Sequence, residues 1–167
     1  MDPVAPEYAA FVERHTRSLF GTAYLLCGDA ASAEDLVQDT LMAAFERWRK
    51  IRGTADPLGY VRRLLVNRFI DRTRGPRGRV TLVDAVPDRP SPGDVVDDMV
   101  AKEAVRDLLA GLDERPRAAV VLKYLYDWPD DQIAVAIGCR PATVRSMTRR
   151  ALLKLRTIAL TDAETTA

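Results

Sequence analysis

The sequence has little of what catalytic or metal chemistry needs. It carries two cysteines, Cys27 and Cys139, far apart and in no CxxC pair, and one histidine, His15. A metal site is therefore not expected, and the thiols are expected to stay reduced in a cytoplasmic setting. No apolar run approaches the roughly 20 residues that span a bilayer. The opening MDPVAPEYAAF lacks the basic segment and apolar stretch of a signal peptide. There is no internal repeat, Gly-rich phosphate loop, nucleophile beside a base or pair of placed carboxylates. An enzymatic reading or a cofactor has no residues to rest on.

What the chain has is charge, and the net value of +1 hides its arrangement. Seven arginines lie between Arg62 and Arg79 against the single Asp71, and five aspartates lie between Asp84 and Asp98 against Arg89. A basic block, an acidic block and a further basic stretch near the C-terminus suggest two nucleic-acid surfaces on a soluble protein. The length of 167 residues suits one ordinary domain or two small ones.

The most informative stretch is Pro129 to Arg156, which reads as a helix-turn-helix. Ile133, Ala134 and Ile137 give one apolar edge of a short helix, and Gly138 stands where that helix should end in the left-handed conformation. Pro141 suits the first turn of the next helix, where its missing N–H costs nothing. Val144, Thr148, Ala151 and Leu155 recur at helical spacing, and the small Ala134 allows a close crossing. The other side carries Arg145, Arg149, Arg150, Lys154 and Arg156, with no acidic residue from Cys139 onward within the helix. A solvated basic hairpin is the bland alternative, but these features together favour DNA binding.

Elsewhere the pattern is helical. A first helix is expected over about Glu7 to Cys27, with His15 on its inner face as a core or boundary residue, and Asp29 or Ser32 capping the next helix. That second helix, Ala33 to Lys50, has an inner stripe that includes Leu36, Val37, Thr40, Ala44, Phe45 and Trp48. Its outer stripe is Asp35, Gln38, Asp39, Met42 and Glu46. That outer face is either solvated or, given the exposed methionine, a protein contact. Asp56-Pro57 breaks the chain and can start a helix running from Leu58 to Arg74. There Leu58, Val61, Leu65 and Phe69 share one side, and Tyr60, Arg63, Asn67, Asp71 and Arg74 share the opposite one. The second stripe holds groups that stack on bases and bond their edges, or else a solvated face.

From Gly75 to Asp98 helical periodicity is lost, and Pro, Gly and Asp mark an extended acidic linker in which Val80 to Val83 could form a brief strand. Helices are expected again over Met99 to Leu112 and after a capping Asp113, the second one using Ala119, Val120, Leu122, Tyr124 and Leu125. Thr161 to Ala167 reads as a frayed tail. The expected fold class is all-α: two small helical domains, residues 5–75 and 99–158, joined by a flexible acidic linker at 76–98.

Three motifs in this order resemble an extracytoplasmic-function sigma factor of the bacterial sigma-70 family. AEDLVQDT at Ala33–Thr40 resembles the family's AEDLVQE signature. YVRRLLVNRFIDRTR at Tyr60–Arg74 contains its Asn-x-x-x-Asp-x-x-Arg pattern at Asn67, Asp71 and Arg74, and the closing helix pair is the third. The likeness spans Tyr8 to Arg156.

The resemblance implies a sigma factor, not an enzyme, that binds core RNA polymerase and directs promoter-specific initiation. It implies that Asp35, Gln38, Asp39 and Met42 dock on the clamp of the largest polymerase subunit. Tyr60, Arg63, Asn67, Asp71 and Arg74 would open and hold the minus-ten element. Arg140, Thr143, Arg145, Ser146, Arg149 and Arg150 would read the minus-thirty-five element. Promoter DNA and, as is common in the family, an anti-sigma factor are the other partners implied, with no membrane insertion. The chain departs from the family at Tyr60, where many relatives have Trp, at Arg140, which replaces a serine cap, and at Met147-Thr148, which replaces Arg-Leu. A conventional helix-turn-helix regulator acting without polymerase explains only the C-terminal pair, and a helical adaptor explains none of the basic surfaces.

Overall fold

The computed structural model describes residues 3–74 and 99–167, which are helical with short connections and contain no strand. The predicted linker at 76–98 and the brief strand at Val80 to Val83 lie outside the described residues. The chain divides into two compact units, Met1–Ser91 and Pro92–Ala167.

In the first unit α1 (Val4–Cys27) packs on α2 (Ala30–Glu46), and both pack on α4 (Pro57–Arg74). α1 stops at Gly28, whose φ of 84° puts it in the left-handed region, with its N–H donating to the Tyr24 carbonyl at 2.9 Å. The cap of α2 is Asp29: its carboxylate accepts from the Ser32 N–H at 2.8 Å, and that bond holds the carboxyl below its ordinary range. Leu19, Ala23 and Leu26 of α1 join Leu36, Val37 and Ala44 of α2 and Val61, Leu64, Leu65 and Ile70 of α4 in the core. The Tyr8 hydroxyl donates to the Leu41 carbonyl and ties α1 to α2.

The helix expected from Ala33 to Lys50 is two helices. It breaks at Arg47, where φ is −107° and ψ is 8°, and resumes as the short α3 (Trp48–Ile51). The break turns Trp48 into a cluster with Tyr8 and Phe11, at ring separations of 5.1 and 4.8 Å. Phe45, expected on the inner stripe, is instead half-exposed at the end of α2. At the start of α4, Asp56 accepts from the Gly59 N–H at 2.9 Å. A Cβ on Gly59 would lie 2.2 Å from the Asp56 carboxylate, so a side chain there would make that carboxylate shift from its present position.

In the second unit α5 (Met99–Leu109) ends earlier than expected, and the turn to α6 (Glu114–Val120) is held by Arg117. Its guanidinium donates to the carbonyls of Leu109 and Leu112 at 3.1 and 2.7 Å. Asp113 occupies the N-cap position of α6 without a side-chain cap bond. After α6 the chain widens into a π-helical turn, Val121–Leu125. The wider turn changes the register, so Tyr124 faces out, whereas Tyr126 and Trp128 are buried.

α7 (Asp130–Ile137) and α8 (Pro141–Thr166) form the helix-turn-helix. Gly138 has a φ of 70°, and Arg115 fixes the turn by donating to the carbonyls of Ile137 and Gly138 at 2.5 and 3.3 Å. Val144, Thr148, Ala151 and Leu155 are the buried stripe of α8, and Ala134 is buried. Thr148 fills the place of a larger apolar residue by bonding its hydroxyl to the carbonyls of Val144 and Arg145 at 2.9 and 3.2 Å. The tail is not frayed: α8 continues to Thr166, with Ile158 set against Gly111, where an added Cβ would meet the Ile158 Cδ1 at 2.4 Å.

Candidate nucleic-acid interface

α8 begins at Pro141 after an N-cap, Arg140, that makes no side-chain cap bond. Its four inward residues pack, which leaves Arg140, Thr143, Arg145, Ser146, Arg149 and Arg150 all exposed. Two local bonds order this face: the Ser146 hydroxyl donates to the Thr143 carbonyl at 3.1 Å, and Arg150 Nε donates to the Ser146 carbonyl at 3.3 Å. Four guanidinium groups thus lie on a helix whose N-terminal backbone dipole also favours anions. The arrangement can bond phosphates and reach into a major groove, where arginine pairs bidentately with guanine. Sequence reasoning missed the acidic residue beside them. Asp130, in the first turn of α7, lies 2.9 Å from Lys123 Nζ and 3.9 Å from Arg145 Nη1.

The first unit holds its marked residues differently. Tyr60, Arg63 and Asn67 are only 3%, 6% and 6% exposed, within a run of α4 that is buried from Tyr60 to Asn67. Over Tyr60, Arg63 and Asn67 the expected open stripe opposite Val61 and Leu65 is therefore covered, and Asp71 is half-buried. Periodicity separated two stripes but could not say that both would be enclosed. Burial pulls the Arg63 guanidinium below its ordinary value, with Asp56 and Tyr60 acting in the opposite sense. One turn apart, Asn67 Oδ1 and Asp71 Oδ1 are buried acceptors without a hydrogen-bond partner among the described residues. Such acceptors are costly unless a donor arrives, and exocyclic amino groups of bases are donors of that kind. Arg74 closes the helix. Arg68 and Arg72 of α4, which the stripe did not include, are exposed.

On α2, Asp35, Gln38 and Asp39 are exposed in a row with Met42. Met42 is 69% and Phe45 49% exposed, so the acidic face continues into an apolar one. Asp39 is paired with Arg72 of α4, an exposed ion pair worth at most about 1 kcal/mol. Anionic charge beside two large apolar side chains suits a protein partner better than a nucleic acid. No helix among the described residues is long and apolar enough to cross a membrane.

Comparison with known proteins agrees with this division. Residues 11–79 match the model of Sigma-70 region 2, and residues 102–155 match that of Sigma-70, region 4. The chain is 33% identical to the ECF RNA polymerase sigma factor SigL of Mycobacterium tuberculosis, over 88% of this chain and 85% of that protein. It is 30% identical to the RNA polymerase sigma-E factor of Streptomyces coelicolor, over 90% and 84%. In fold it is similar to the sigma factor RpoE solved with the anti-sigma factor NepR from Bartonella quintana. The TM-score there is 0.65 at 23% identity, covering 93% of this chain and 98% of that one.

Proposed function

Since the chain belongs to the extracytoplasmic-function branch of the sigma-70 family, we propose how its two units divide the work of promoter-specific initiation. Core RNA polymerase and promoter DNA are its partners as a sigma factor. The observation that carries the division is the match of region 2 and region 4, in that order, to the two compact units.

In this reading α2 docks on the polymerase clamp through Asp35, Gln38, Asp39 and Met42, and Phe45 extends the apolar part of the contact. α8 reads the minus-thirty-five element with Arg140, Thr143, Arg145, Ser146, Arg149 and Arg150. α4 captures bases of the minus-ten element, with Asn67 and Asp71 offering unsatisfied acceptors and Tyr60, Arg63 and Arg74 completing the surface. Unstacking a base costs a few kcal/mol, and these contacts offset it. The domains in this reading are residues 5–75, a linker at 76–98 and residues 99–158. The chain performs no covalent chemistry of its own and acts in the cytoplasm. By likeness to the Bartonella factor, an anti-sigma protein is a further partner. A regulator working without polymerase is disfavoured, because it leaves the match over 11–79 without a purpose.

The test combines purified chain, core polymerase and a promoter library, with transcripts sequenced. Specific initiation is expected for the wild type. Asp35→Lys is expected to weaken polymerase association by about tenfold or more while the protein stays folded. Unchanged association for that variant overturns the docking assignment. Asp39→Lys is a less clean probe, because it also removes the partner of Arg72.

A further inference from the structure

We infer that Asp130 is a positioning residue for promoter reading: its carboxylate, anchored by Lys123, steers the Arg145 guanidinium and sharpens discrimination at the expense of overall affinity. The inference rests on the reading of α8 as the recognition helix.

The geometry is a chain of cation, anion and cation. Asp130 Oδ1 lies 2.9 Å from Lys123 Nζ, and Oδ2 lies 3.9 Å from Arg145 Nη1. The two inner members are the more enclosed, with side chains 22% and 28% exposed for Asp130 and Lys123 against 61% for Arg145. Lys123 comes from the π-helical turn and Asp130 from the first turn of α7, where the helix dipole favours a negative charge. Lys123 thus anchors the carboxylate by a hydrogen bond, and Arg145, at ion-pair distance, is the most exposed of the three. Arg149 and Arg150 have no carboxylate within ion-pair range among the described residues.

A carboxylate at this place cannot be there to raise affinity. It repels phosphates and occupies two cations that would otherwise neutralise them. What it supplies is direction. A bidentate contact with guanine requires the planar fork of arginine to meet the base edge in one orientation. An unrestrained Arg145 would swing to the nearest phosphate, and phosphate contacts carry no sequence information. A carboxylate nearest Nη1 leaves the other donors of the guanidinium available to a base edge.

The experiment uses holoenzyme assembled from core polymerase and the full chain. Its substrate is a promoter library randomised in the minus-thirty-five element, and duplex binding is measured across salt. Asp130→Asn is expected to lose discrimination severalfold at one or two base positions. Its binding to unrelated duplex should hold or tighten, with a log–log salt slope steeper by up to about one phosphate. Asp130→Glu should recover part of the discrimination. In an Arg145→Ala background, Asp130→Asn should add nothing, since the two act as one unit.

Lys123→Gln, which loosens the anchor but keeps the carboxylate, should give a weaker version of the same change and stands in if Asp130→Asn is poorly folded. An unchanged discrimination profile with specific wild-type initiation overturns the inference alone. The same added loss in the Arg145→Ala background also overturns it, because Asp130 would then act through the fold. A wild-type holoenzyme that initiates at no specific site overturns the sigma reading and this inference together.

Discussion

α8 and α4 carry the residues that the sequence marks for DNA, and they hold them in opposite ways. On α8 the stripe Val144, Thr148, Ala151 and Leu155 is buried, and every marked polar residue is on the open side. On α4 the marked Tyr60, Arg63 and Asn67 are buried along with Val61 and Leu65 on the other side. In the proposed reading the second unit therefore presents a surface that can meet a duplex without rearrangement. In the same reading the amide and guanidinium of the first would have to be uncovered before they reach a base. The difference suits the two proposed tasks: the minus-thirty-five element is read as intact duplex, whereas the minus-ten element yields its bases only on opening.

The largest effect should come from breaking one unit without the other. Ile137 is fully buried in the helix-turn-helix, and Ile137→Ala is expected to destabilise the second unit by about 2–5 kcal/mol. Hydrogen exchange should then report lost protection in α5 to α8 with α1 to α4 unchanged. Equal loss in both would mean that the units do not fold separately.

A more moderate effect separates display from concealment. Arg149→Ala should cost about 1–3 kcal/mol of discrimination at one base pair in duplex binding. Asn67→Ala should leave duplex binding alone and lower the yield of opened promoter, through a bond worth about 1 kcal/mol. Permanganate reactivity of unpaired thymines measures that yield. If Asn67→Ala weakened duplex binding as Arg149→Ala does, the contrast between the two helices would be lost.

The smallest effect concerns the first unit alone. Burial pushes the Tyr8 hydroxyl up from 10.0 to about 12. A group raised on folding stabilises while it stays protonated. Its contribution is therefore complete below pH 10 and lost as pH rises toward 12, amounting to no more than about 3 kcal/mol. Tyr8→Phe should lower stability slightly at neutral pH, since the bond to the Leu41 carbonyl goes. It should also flatten the alkaline decline of the first unit in a chemical-denaturation series.

Much of the fold was legible because its signals are local. Gly138, Pro141 and the α8 stripe state a turn and two helices within a few residues, and the structure has them there. Asp29 and Asp56 were readable as starts for the same reason. Arg47 carries no breaker chemistry, so the sequence shows one helix where tertiary packing of Trp48 makes two. The π-helical turn likewise leaves no local mark, yet it exchanges Tyr124 for Tyr126 in the core.

The candidate site divides in the same way. The exposed face of α8 is set by its period, but the enclosure of α4 depends on what surrounds it. The Asp39–Arg72 and Asp130–Arg145 pairs join residues on different helices, which no spacing rule brings together.

α8 is a single 26-residue helix, about 39 Å from end to end, and its far half rests on Gly111 through Ile158. The half that carries the basic face is seated by the buried Val144, Thr148, Ala151 and Leu155 and by contact with α6 and α7. A side chain at position 111 would meet the tip of Ile158, which would have to turn aside while the buried stripe nearer Pro141 kept its place. The basic face thus keeps its bearing from the stripe beneath it, and the corner between α5 and α6 supports only the far half of the helix.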